Sequence, residues 1–234
     1  MGTIYAGTSG WAYAQWKPDF YPAKLASAKF LGYYATRLNS VELNFTFRRF
    51  ATEKQQMAWI EATPENFRFS VKANQNITHV KRLKDAGQLA SDFLDSLRPL
   101  QDANRLGPVL FQLPPFLKLD LPRLEDFLAG LPRAPRSAFE FRHDSWFCDP
   151  VYAALRKANS ALCEAESAKL ETPEMQTADY SYLRLRKEDY SPKDRRKLAA
   201  KVADRAVRGD VFVYFKHEDT PEGALYAESL LTSA

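Results

Sequence analysis

The chain reads as a TIM-type (β/α)8 barrel, one parallel eight-stranded α/β domain over residues 1–234. Three observations predict it. Strand-like stretches of about six residues, rich in β-branched and aromatic side chains, recur near 3–8, 40–45, 67–72, 108–113, 137–142, 160–165, 180–185 and 210–215. Most gaps between them have helix length, which is the βα pattern of a parallel sheet. Five stretches also end in charged or amide residues of one parity: Glu42 and Asn44, Lys72, Gln112, Glu140 and Arg142, and Lys216. Residues of one parity share one face of a strand. The other parity is apolar, as in Val41 and Leu43, Phe69 and Val71, or Val211 and Val213. In a closed barrel the polar ends converge on one mouth, where barrel enzymes hold their sites.

The first strand runs into Gly7-Thr8-Ser9-Gly10-Trp11, followed by Tyr13, Trp16, Phe20 and Tyr21. Its two glycines allow close approach of backbone to a ligand. Trp11, nearest the strand end, offers a stacking face, whereas most of the later aromatics read as the private core of a self-packed Ω-loop. The segment is neither a GxGxxG nor a Walker loop. After the second strand, Thr52 and Gln55 form a capping box. The third leads to Asn76-Ile77-Thr78-His79, where His79 is placed for proton transfer or a phosphate contact. Pro114-Pro115 ends the fourth abruptly. Asp149-Pro150, Ser191-Pro192 and Thr220-Pro221 each put a cap before a first-turn proline. Leu198, Val202 and Ala206 recur at helical spacing inside 192–207. Only about fourteen residues separate the sixth and seventh strands and Pro173 interrupts them, so the sixth helix is expected to be short or missing.

On the polar parity stand Glu42, Glu140 and Glu164 against Lys72, Arg142, Arg184 and Lys216. Barrel interiors are usually filled with Val, Ile and Leu, and charges there are costly unless paired or hydrated. A structural ion network would account for them. So would a site in which a carboxylate is the acid or base while cations hold an anion, and their position at strand C-termini favours this second reading. His79, His143 and His217 all lie at strand ends or just beyond. With no HxH, HExxH or CxxC spacing, no metal site is expected, and a carboxylate-bound Mg²⁺ or Mn²⁺ stays open. Ser145 lacks a GxSxG setting, and Cys163 reads as a small core residue on the apolar face.

The net charge of +4 permits an anionic partner without demanding one. Lys81, Arg82 and Lys84 cluster after His79, and the basic helix from Lys193 to Lys201 reads as a solvated face. No apolar run reaches the ~20 residues of a membrane span, and the start Met1-Gly2-Thr3-Ile4-Tyr5 has no signal-peptide character. Two cysteines are too few for a disulfide framework. The expectation is a soluble cytoplasmic protein without a membrane partner, its oligomeric state open.

Several motifs resemble, in order, those of the YecE-like family of bacterial and archaeal proteins of unknown function. They are Gly7-Thr8-Ser9-Gly10-Trp11, Val41-Glu42-Leu43-Asn44 with Thr46-Phe47, Phe69-Ser70-Val71-Lys72 with Thr78-His79, Gln112-Leu113-Pro114-Pro115, and Glu140-Phe141-Arg142-His143-Asp144-Ser145-Trp146. The resemblance implies a TIM-type barrel, with a more distant likeness to apurinic endonuclease and sugar isomerase barrels. It implies site positions at Gly7, Ser9, Trp11, Glu42, Asn44, Lys72, His79, Gln112, Glu140, Arg142 and Trp146. The back end departs from the family. Arg184-Leu185-Arg186-Lys187 replaces Arg-x-His-Gly, Lys216-His217-Glu218 replaces paired asparagines, and Glu164 or Glu166 stands for an aspartate.

The resulting expectation is an enzyme of hydrolase or isomerase type acting on a small phosphate- or carboxylate-bearing substrate, without a cofactor. Glu140, Glu42 and His79 would move protons. Gly7, Ser9, Trp11, Asn44, Lys72, Gln112, Arg142, Trp146, Arg184 and Lys216 would bind substrate. The alternatives are a nucleic-acid-binding protein using the same mouth and a degenerate, non-catalytic barrel.

Overall fold

The computed structural model describes residues 1–166 and 170–233. Eight strands form one sheet: β1 (Ile4–Thr8), β2 (Ser40–Leu43), β3 (Arg68–Lys72), β4 (Leu106–Gln112), β5 (Ser137–Glu140), β6 (Ala161–Ala165), β7 (Tyr180–Leu185) and β8 (Asp210–Phe215). All their pairings are parallel, β2 through β8 neighbour to neighbour and β8 with β1. Around them run α1 (Phe30–Arg37), α2 (Glu53–Glu61), α3 (Gly87–Asp95), α4 (Arg98–Asp102), α5 (Leu121–Gly130), α6 (Asp149–Ala158), α7 (Pro192–Arg208) and α8 (Glu222–Ser233). This is the TIM-type barrel expected. Among the described residues no helix joins β6 to β7, while residues 167–169 lie outside the description.

The alternation sorts side chains as the sequence requires. Val41, Phe69, Val71, Phe111, Phe139 and Val213 face the helices and are fully buried there. The barrel interior holds a second core in which Tyr5, Tyr182, Phe212 and Tyr214 stack below the mouth. Of the aromatics after β1, Trp16, Phe20 and Tyr21 pack on one another and on α1, which is the self-packed loop. The capping boxes at Thr52 and Ser191 form, with Pro192 opening α7. Asp149 is instead the first residue of α6, after Cys148, and gives no capping hydrogen bond.

The sixth strand corrects the sequence reading. Cys163 pairs in register with Tyr182 and Glu164 with Leu183, so Cys163 faces the barrel interior and Glu164 faces outward. Glu164 accepts from Arg205 at 2.5 Å and pairs with Lys201 at 2.7 Å, both on α7. Two strands also end earlier than expected, at Leu43 and Glu140, which leaves Asn44 and Arg142 on the loops just above the ladder.

The seam between β1 and β2 closes by side chains, with a single bridge at Ser9 and Glu42. Gly7 lies so near β2 that a Cβ there would stand 1.8 Å from the Ser40 carbonyl oxygen. Asn39 stands in for a missing ladder, its Oδ1 accepting from Ala6 N at 2.9 Å and its Nδ2 donating to Ile4 O at 2.8 Å. The fully buried Tyr34 hydroxyl accepts from Thr8 N and donates to Ser40 O, both at 2.9 Å. Tyr34→Phe strands both backbone groups, so chemical denaturation should show a loss of about 1–3 kcal/mol.

Candidate functional site

The polar ends of the strands meet around one guanidinium. Arg184 on β7 is 2% exposed; its Nη2 donates to Glu42 Oε1 at 2.8 Å and its Nη1 to Glu140 Oε2 at 2.5 Å. Glu42 also accepts from Ser9 Oγ at 2.8 Å and from the Tyr182 hydroxyl at 2.7 Å. Both of its oxygens are thus engaged. Glu140 Oε2 further accepts from Gln112 Nε2 at 2.8 Å, and Gln112 Oε1 accepts from Lys72 Nζ at 2.8 Å. Glu140 Oε1 makes no hydrogen bond among the described residues; it faces Arg186 Nη2 at 3.5 Å and Arg142 Nε at 3.7 Å.

Burial opposes charge on both carboxylates, but Arg184 overrides it. With its hydrogen bonds from Arg184, Tyr182 and Ser9, Glu42 is held below the ordinary range. Arg184, Arg186 and Gln112 bring Glu140 down to about 2. In return the two carboxylates outweigh the burial of Arg184 and raise its pKa. Both glutamates are therefore anions at neutral pH and poor general bases. A divalent metal is also poorly served here, since the guanidinium lies between the carboxylates. Among the described residues no three His, Cys, Asp or Glu side chains gather as metal ligands.

Cations crowd the rim above this unit. Lys72 is lowered to about 8 by burial and by Arg184, against the pull of Glu140 and Glu42. Burial and Arg186 lower Lys216, which sits 3.9 Å from Glu218. His79 rests edge-on to Phe47, 4.8 Å between centroids, and burial with Lys72 and Arg142 lowers its pKa. Thr46 fixes this corner by donating to Lys72 O at 2.7 Å. With Glu164 turned outward and Arg186 turned in, Arg184, Arg186, Arg142, Lys72 and Lys216 face Glu42 and Glu140. The balance expected from the sequence becomes a surplus of positive charge.

Beside the mouth, Ser9, Trp11, Asn44, Phe45, Arg49 and Trp59 line a cleft of about 320 Å³. Trp59 meets Trp11 and Phe45 edge to face, at 6.0 and 5.7 Å. Both amide atoms of Asn44 are buried without a partner among the described residues. A larger groove of about 700 Å³ lies between α5 and α6, at the opposite end beside Ser137, where no buried charge gathers.

Most of the expected residues therefore come together: Ser9, Glu42, Lys72, His79, Gln112, Glu140, Arg142, Arg184 and Lys216 at the mouth, Trp11 and Asn44 in the cleft. Two play structural parts. Gly7 makes room for β2, and Trp146 is 1% exposed, stacked 4.6 Å from Phe141 with its Nε1 donating to Leu117 O at 2.7 Å. His143 caps a short turn by accepting from Ser145 N, and Ser145 Oγ accepts from Leu119 N. His217 Nε2 meets Lys187 O at 2.7 Å on the rim. Tyr182 and Arg186 were missed, although both share the parity of Arg184. Glu166, the alternative to Glu164, accepts from the backbone N of Arg186 at 2.8 Å and of Lys187 at 3.1 Å, so it anchors the altered loop.

Glu140→Gln strands half of the Arg184 charge and should cost about 3–5 kcal/mol of unfolding free energy. Arg142→Gln breaks only a half-exposed 3.7 Å contact and should stay within about 1 kcal/mol of wild type. Glu140 is depressed from 4.5, so its contribution is full above that value and lost as pH falls towards about 2. Acid titrations of stability should accordingly be flatter in Glu140→Gln than in wild type.

Residues 5–234 match the family described as "Protein of unknown function DUF72". The UPF0759 protein YunF of Bacillus subtilis is 34% identical over 156 residues, covering 64% of this chain and 54% of that protein. The UPF0759 protein YecE of Escherichia coli K12 is 32% identical over 145 residues, 62% of this chain and 50% of YecE. The chain thus spans about half the length of the curated relatives it matches. A DUF72 family protein of Thermotoga maritima has a crystal structure similar to this fold, with a TM-score of 0.85, 28% identity and 98% of both chains covered. Another from Enterococcus faecalis shares the fold at a TM-score of 0.81 and 18% identity, over 98% of this chain and 96% of that one. The matched family spans the barrel from β1 to α8, and the chain belongs to the DUF72 family, the YecE-like proteins.

Proposed function

We propose that the C-terminal mouth of the barrel is the active site of an enzyme for a small phosphate- or carboxylate-bearing substrate. One observation carries the reading. Glu42 and Glu140 share one buried Arg184, which leaves a single negative charge to balance, yet four further cations, Lys72, Arg142, Arg186 and Lys216, stand around them. A structural network needs no such surplus, and an anion supplies what it lacks. Arg142 and Arg186 offer planar donors suited to a carboxylate or phosphate. The cleft of Trp11, Asn44 and Trp59 takes the rest of the substrate. Hydrolysis or isomerisation suits these groups, with proton transfer falling to His79 and Lys72 rather than to the strongly acidic glutamates. The reading needs no cofactor, and it places the protein in the cytoplasm, in keeping with the free thiols of Cys148 and Cys163. Among the described residues no helix is long and apolar enough to cross a membrane.

Nucleic acid is the second reading. Lys81, Arg82 and Lys84 are exposed beyond β3, and the Arg82 guanidinium lies 5.4 Å from the ring of Phe116, itself 65% exposed. That pair would receive a phosphate and a base.

Inorganic phosphate at ten times its Kd should raise the melting temperature by about 3–5 °C over sodium chloride of equal ionic strength. The shift should vanish in the Arg142→Gln/Arg186→Gln double variant. Equal shifts in wild type and double variant would remove the anion site from the mouth. Single-stranded oligonucleotide binding that falls steeply with salt, and is lost in Lys81→Gln/Arg82→Gln, would favour the second reading.

A further inference from the structure

Among the described residues Lys72 is the one cation of the mouth without a carboxylate partner. Arg184 bridges Glu42 and Glu140, Arg142 and Arg186 face Glu140, and Lys216 faces Glu218. Lys72 Nζ instead donates to the neutral Gln112 Oε1 at 2.8 Å, and Gln112 gives its own Nε2 to Glu140. The amide is thus interposed between ammonium and carboxylate. On its other side the Lys72 Nζ lies 4.3 Å from the centroid of Phe47, the ring on whose edge His79 packs.

This is the setting in which a lysine becomes a nucleophile: desolvated, beside other cations, and short of anionic partners. We propose that Lys72 is a carbonyl-capturing amine, forming an imine with a small oxo acid or carbonyl phosphate whose anionic group rests on Arg142, Arg186 and Lys216. The proposal rests on the anionic-substrate reading and names the substrate's reactive group. The neutral Nζ adds its lone pair to the carbonyl carbon, and the carbonyl π pair moves to oxygen. Proton transfer from nitrogen to oxygen gives a carbinolamine, whose hydroxyl then leaves as water with the second amine proton. One amine and one carbonyl yield one imine and one water, with no change of oxidation state. His79, which burial, Lys72 and Arg142 all favour in the neutral form, packs on the same Phe47 ring as the amine and would carry the proton. Gln112 is a positioning residue that fixes Nζ. With its pKa near 8, Lys72 is neutral in about a tenth of molecules at pH 7, against fewer than ~1 in 1,000 for an ordinary lysine.

The test is reductive trapping. The full chain is incubated with glyoxylate or with dihydroxyacetone phosphate and sodium cyanoborohydride at pH 7.5, then examined by intact mass and peptide mapping. The expected result is one adduct per chain on Lys72, lost in Lys72→Arg and slowed in the wild type by added phosphate. Its rate should rise with pH to a plateau above about 8, where surface lysines keep climbing towards 10.5. Adducts scattered over surface lysines with Lys72 unmodified, or no adduct with either probe, overturn the amine proposal. If phosphate still shifts the melting temperature in that case, the anion site stands and only the imine fails. If phosphate shifts nothing, both readings fall.

Discussion

Arg184 is the constraint on which the rest of this structure depends. A guanidinium at the centre of a barrel is tolerable only when its charge is met, and here two carboxylates, one on β2 and one on β5, each take one of its donors and supply the countercharge, while Nε has no partner among the described residues. β7 holds the arginine, while β2 and β5 hold its partners. The ion triad therefore ties together strands that make no ladder with one another. It also reaches the weakest part of the wall, because Glu42 lies at the single bridge between β1 and β2 and accepts from Ser9 across it. Closure of the barrel and pairing of its buried charges are one arrangement.

That arrangement decides which groups are left for chemistry. Glu42 has no oxygen to spare, and Glu140 offers one oxygen to two arginines. A carboxylate so heavily countered is a strong acid's conjugate and takes up protons reluctantly. The same positive field acts in the opposite sense on nitrogen. Burial first, and then this field, drive Lys72 and His79 towards their neutral forms, which are the useful ones for accepting a proton or attacking an electrophile. The acidic residues of this mouth are thus its framework, and the reactivity proposed for it rests on its bases.

The strands and the mouth were legible because β-strand parity is a strict rule, and five stretches carry apolar residues on one parity and end in a polar residue on the other. Glu42, Lys72, Gln112, Glu140 and Arg184 follow from that rule alone. It fails at β6 for a physical reason: Ala161, Cys163 and Ala165 are small, and Leu162 beside Glu164 marks neither face clearly. Only the register with Tyr182 decides which way the strand faces, and register is a property of two strands. Glu164 consequently reads as an inward charge when it is an anchor for α7. Trp146 shows the other limit. A motif places a residue beside a site without telling whether it faces the ligand or supports those that do, and this indole is consumed by Phe141 and Leu117.

The departures from the family pattern gain a meaning from the same geometry. Where the YecE-like resemblance implies Arg-x-His-Gly, this chain has Arg184-Leu185-Arg186-Lys187, with a second guanidinium two residues after Arg184, on the same face and 3.5 Å from Glu140. Glu166 holds the backbone of that segment in place, so the added arginine is positioned rather than loose. Lys216 brings a further cation to the end of β8. Each of these cations carries a desolvation cost that Glu140 and Glu218 offset only in part. They accumulate on one face and around one gap, and it is this arrangement on which the proposal of an anionic substrate rests.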